Sequence, residues 1–174
     1  MHISALFALL ITTAALAGPA VAKDLDQAQA LWLQGKRSQA LEAVRQGLAD
    51  NPNDARLRFA QAVMQMELGR TAEAEAGLVA LTQDFPDLAD PFNNLAVLYA
   101  ARGALDPARE ALEQAVRLQP DHVQAQENLG DVLLRLAARA YGQALRLSSG
   151  DTTALQLKLR HTEALIARAA PAKR

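Results

Sequence analysis

Apolar residues in this chain recur at helical rather than strand spacing. Phe59, Val63 and Met66 fall at i, i+4 and i+7. Near the C-terminus, Leu155, Leu159, Leu165 and Ile166 gather on one side of a segment whose Lys158, Arg160, Glu163 and Arg168 lie elsewhere. Long runs of alternating β-branched residues are absent, and Ala, Leu, Gln, Arg and Glu, all strong helix formers, dominate. The expectation is an all-α protein.

A second, longer period overlies the helical one. Pro52, Pro86 and Pro120 are 34 residues apart, as are Gly35, Gly69 and Gly103. Ala40, Ala74 and Ala108 keep the same spacing, and so do Ala28, Ala62, Ala96 and Gly130. A fixed period of this size marks stacked supersecondary units. Within each, a first helix ends near the glycine, a second follows two or three residues later, and the proline closes the unit. The glycines suit a left-handed helix-end residue, and the small residues let helices approach closely. Asp106 before Pro107, Asp90 before Pro91, Ser38 and Thr71 are candidate N-caps.

The pattern resembles the tetratricopeptide (TPR) repeat, a helix-turn-helix unit of this length. The third unit carries the resemblance best, with Pro91-Phe92-Asn93-Asn94-Leu95-Ala96-Val97-Leu98-Tyr99, then Gly103, Ala108, Leu112, Ala115 and Pro120. The first two units depart at large positions, where Gln27, Gln61 and Gln65 stand. The resemblance implies an α-solenoid array covering residues 24–150, with units at 23–53, 54–87 and 88–121. It then breaks. Ala137 occupies the next glycine position, and Tyr141, Ala144, Leu145 and Leu147 arrive about five residues early. Residues 122–150 therefore read as a degenerate fourth unit in which Leu129–Leu147 forms one long helix. Ser148-Ser149-Gly150-Asp151 stops it, a capping helix follows at 151–170, and 171–174 form a tail.

The first 22 residues stand apart. Ile3–Leu16 is apolar and uncharged, Gly18-Pro19 breaks a helix, and Ala20-Val21-Ala22 suits signal peptidase. This reads as a signal peptide cleaved after Ala22 and a periplasmic destination. The alternative is an uncleaved anchor facing the periplasm, since Ile3–Ala22 is about long enough to span a bilayer. Membrane contact is expected only through that segment. With no cysteine, there is no disulfide framework or thiolate metal site.

Charge is unevenly spread. Residues 23–128 hold 10 basic and 16 acidic side chains, a net of −6; residues 129–174 hold 8 and 3, a net of +5. Export argues against a nucleic-acid partner. His122, in a turn, and His161, on the last helix, read as turn or surface residues. No phosphate loop, HExxH or nucleophile elbow is present, so neither catalytic residue, metal nor cofactor is expected.

The resemblance implies a protein partner, an extended peptide or helix, held on a concave face lined by the first helices. The positions carried over are Leu25, Gln29, Trp32, Phe59, Val63, Met66, Asn93, Val97, Glu127, Asp131 and Arg135. The Phe59/Val63/Met66 stripe reads equally as groove or core. The matching positions lack the lysines with which some relatives hold a C-terminal carboxylate, so apolar or weakly basic segments are the expected ligands. The leading expectation is a non-enzymatic scaffold of the bacterial envelope. The alternatives are a self-assembling structural protein, whose acidic body meets its basic end, and an accessory subunit of cytochrome or cell-wall assembly.

Overall fold

A computed structural model describes residues 19–169. They form eight helices: α1 (Pro19–Leu33), α2 (Arg37–Asp50), α3 (Ala55–Glu67), α4 (Thr71–Asp84), α5 (Ala89–Ala101), α6 (Leu105–Leu118), α7 (Val123–Leu147) and α8 (Thr153–Ala169). The fold is all-α, built of helical hairpins, with a long helix and a closing helix at the C-terminal end. The chain divides at Asp87/Leu88 into two compact units, α1–α4 and α5–α8. Among the described residues, no helix is long and apolar enough to cross a membrane. The segment read as a signal peptide lies outside the described residues up to Gly18; α1 begins at Pro19, which serves as its first helical residue.

The repeat residues set the helix ends. Gly35, Gly69 and Gly103 have φ of 76°, 72° and 81°, the left-handed region that costs other residues about 1–2 kcal/mol. Each closes the preceding helix in the same way. Gly35 N–H donates to Trp32 O and Lys36 N–H to Leu31 O; the pairs Gly69–Met66 and Arg70–Gln65, and Gly103–Ala100 and Ala104–Tyr99, repeat it. These paired 5→2 and 6→1 bonds are the Schellman closure. At the other end, Asn51, Phe85 and Gln119 are the C-caps of α2, α4 and α6, with φ near −135°. Each precedes a repeat proline, which excludes the helical conformation from its neighbour.

The N-caps differ from expectation. Lys36, Arg70 and Ala104 hold those positions in α2, α4 and α6, without side-chain caps. Their carbonyls accept from Ala40, Ala74 and Ala108, the first bond of each helix. Because the glycine closure occupies only two residues, the second helix starts early. Ser38, Thr71 and Asp106 fall inside the first turn rather than before it. Asp90 does likewise in α5, where Leu88 is the N-cap. Side-chain caps occur instead at Asp54, which accepts from Arg56 and Leu57 N–H, at His122 and at Asp151.

In the N-terminal unit, α1 packs on α2, α2 on α3 and α3 on α4. Leu25, Ala28, Trp32, Leu41, Val44, Leu57 and Met64 make one core. Full burial of a side chain such as Leu57 or Met64 contributes about 1.5–3 kcal/mol. Gly47, outside every repeat series, is a close-approach site: a Cβ there would lie 2.9 Å from Leu57 Cδ1 and 3.1 Å from Asp24 Cβ.

In the C-terminal unit, α6 packs on α5, α7 on both, and α8 on α7. Ala96, Ala100, Ala108, Leu112, Ala115, Ala125 and Val132 form its core, with Phe92, Tyr99, Leu129 and Leu136 against it. Helix α7 runs unbroken for 25 residues. Without a glycine at 137, nothing stabilises the left-handed turn, and Arg135–Ala140 favours continued helix. Gly130 is not a close-approach residue, since a Cβ there would meet nothing within 4 Å; with the second helix of this unit missing, no returning backbone crosses it. Leu165 is exposed, while Thr162 is buried beside Leu155, Leu159 and Ile166 and donates to Lys158 O.

Candidate partner-binding surface

In the N-terminal unit the first-helix positions are mostly inside the protein. Leu25 belongs to the core. Trp32 is 3% exposed. Its Nε1 donates to Glu67 Oε2 at 3.2 Å, and the Arg37 guanidinium lies 4.1 Å from its ring centroid. Arg37 also donates to Trp32 O. Trp32 thus ties the α1–α2 turn to α3. Phe59, Val63 and Met66 are buried, so an incoming ligand does not meet them in this conformation. Gln29 is half-buried, with an Nε2 that has no hydrogen-bond partner.

In the C-terminal unit, Asn93 and Val97 are buried too. Asn93 Oδ1 accepts from Asn128 Nδ2 at 2.9 Å, and Asn128 Oδ1 accepts from Gln124 Nε2 at 3.3 Å. Polar side chains thus link α5 to α7. Asn94 donates to Asp90 O within its own helix. Arg135 donates to Ala100 O at 2.9 Å, satisfying a carbonyl of the last turn of α5. Glu127 is exposed and Asp131 half-buried on α7. Of the expected positions in this unit, Glu127 is exposed, Asp131 and Arg135 are half-buried, and the asparagine and valine are buried.

Sequence reasoning missed Asn128, Gln124 and the role of His122. Asn128 stands 34 residues after Asn94, so the repeat could have found it. His122 is buried rather than a surface residue. Its Nδ1 accepts from Ala125 N–H at 3.3 Å, capping α7, and its Nε2 lies 3.0 Å from Asp90 Oδ1. Since Nδ1 must accept, the neutral ring carries its proton on Nε2 and donates it to Asp90.

Comparison with known proteins fits this geometry. The tetratricopeptide repeat family profile matches residues 25–89 and 93–151. The chain belongs to the tetratricopeptide repeat family. The first TPR of Spaghetti (RPAP3) bound to the HSP90 peptide SRMEEVD is similar in structure, with a TM-score of 0.62 at 19% identity over 67% of this chain and 93% of that one. TTC0263, a thermophilic TPR protein of Thermus thermophilus, gives 0.62 at 22% identity over 85% and 84%. YrrB, described as a TPR protein with an unusual peptide-binding site, gives 0.56 at 26% identity over 65% and 57%. No curated protein matches the sequence.

Proposed function

We propose that this chain is a non-enzymatic interaction module of the bacterial cell envelope that binds an apolar or weakly basic segment of a partner protein. The observation behind the ligand class is the acidic side of α7, where Glu127 is exposed and Asp131 half-buried, beside the Gln124–Asn128–Asn93 amide chain. The similar RPAP3 domain holds a peptide ending in Glu-Glu-Val-Asp. A segment so acidic would meet like charge on α7, whereas Lys or Arg would be attracted. The apolar stripe of α3 is not the contact in this reading, because it is buried.

The envelope destination rests on the N-terminal sequence. Processing after Ala22 would remove the first turn of α1 and spare Leu25, Ala28 and Trp32 of the core. The test is a peptide array probed with the full chain and with Glu127→Lys/Asp131→Lys. Retention on basic-apolar peptides, lost in the variant, supports the reading. Equal retention on acidic peptides, or an unchanged variant, contradicts it.

A further inference from the structure

Helix α8 turns a cationic, leucine-bearing side outward. Leu157, His161, Leu165 and Arg168 are spaced four, four and three residues apart and share one exposed face. Leu157 and Leu165 are 46% and 50% exposed. Lys158, which lies 5.8 Å from the Tyr141 ring centroid, and Arg160 flank the stripe. The one acid of α8, Glu163, falls three positions from Arg160 on its other side.

Helix α4 has the opposite character. Its sequence holds Glu73, Glu75 and Asp84 and no basic residue. An open apolar trough runs along it, lined by Ala72, Glu75, Ala76, Val79, Ala80 and Gln83. These positions span nearly the whole helix on one side, and their small side chains leave room for larger ones. Glu73, beside the trough, accepts from Gln65 and lies 3.9 Å from Arg70, both in exposed, solvent-screened contacts.

We infer that α8 of one copy docks into the α4 trough of a second copy, placing Leu157 and Leu165 among the alanines, Lys158 beside Glu73 and Glu75, and Arg168, about 15 Å further along, beside Gln83. An amphipathic helix in an apolar groove is a common mode of recognition. Shape and charge complement each other here, and both surfaces belong to this chain. Because the two surfaces differ, the contact is heterologous, and copies close into a ring or add progressively according to the rotation that relates them. Glu127 and Asp131 take no part, so this inference and the peptide-binding reading can fail separately.

The test is light-scattering mass of the full chain over a concentration series, at low and at high salt. The expected mass exceeds the 18.7 kDa monomer, rises with concentration and falls toward the monomer in salt. Leu157→Glu/Leu165→Glu should abolish association, with its circular dichroism unchanged. Lys158→Glu/Arg168→Glu and Glu73→Lys/Gln83→Lys should each be monomeric alone and regain mass when mixed, since each then offers the charge the other needs. A monomeric wild type at low salt, a leucine variant that still associates, or a mixture that stays monomeric overturns the inference. So does a wild type that cosediments with anionic phosphatidylglycerol vesicles but does not self-associate, which would assign the α8 face to a lipid surface.

Discussion

Arg139 and Asp106 form a two-pronged ion pair, with Nη1 and Nη2 of the guanidinium each donating to the carboxylate at 2.8 Å. It ties the first turn of α6 to the part of α7 that continues past the lost turn. Arg135, one helical turn earlier, reaches Ala100 O. These two arginines hold the extension of α7 where another hairpin would otherwise begin. The Arg139 hydrogen bond also lowers the pKa of Asp106 below the usual carboxylate value. A carboxyl with a depressed folded pKa stabilises the fold above its unfolded value, and this is lost as pH falls through the folded one. Asp106→Asn should therefore be less stable than the parent at neutral pH and converge with it in acid, as read from urea midpoints across pH. The pair is exposed, so the gap should also shrink in salt.

Two glycines should respond oppositely to substitution. Gly142 lies inside α7, where a Cβ would meet only Arg146 Nη1 at an ordinary 3.8 Å. Gly142→Ala should raise stability by about 0.5–1 kcal/mol through helix propensity. Gly47→Val should lower it by about 1–3 kcal/mol, because the added bulk meets Leu57 and Asp24. Thermal unfolding of the two variants checks both signs.

His122 caps α7 and contacts Asp90. Its replacement by alanine should cost about 0.5–2 kcal/mol, the usual range for a lost N-cap, and most of the loss should appear as fraying of the first turn of α7 in hydrogen exchange. Nitrogen chemical shifts of the neutral ring should report protonation at Nε2. A proton on Nδ1 instead would contradict the cap.

The period made the helix boundaries readable, because glycine and proline act through local backbone geometry. The unbroken α7 was readable for the same reason: Ala137 cannot make the turn that Gly103 makes. Cap positions were misplaced because Ser38, Thr71 and Asp106 have cap chemistry, while the Schellman bonds begin each helix one or two residues before them. Leu165 was assigned inward because hydrophobicity alone does not say which of two neighbouring leucine stripes faces α7, and Thr162 takes the inward place. The burial of Phe59, Val63 and Met66 was not readable, since groove and core share one apolar pattern. Of the positions carried over from the family, Glu127 is exposed, while Gln29, Asp131 and Arg135 are half-buried.

If a partner segment lies against the acidic surface of α7, Glu127 is within its reach. A photo-crosslinking residue placed at Glu127, in cells, measures this contact, with one at the exposed Glu110 of α6 as the comparison. The prediction is a discrete protein adduct from position 127, absent from 110 and suppressed by Asp131→Lys. Adducts of equal yield from both positions, or from 110 alone, would contradict it.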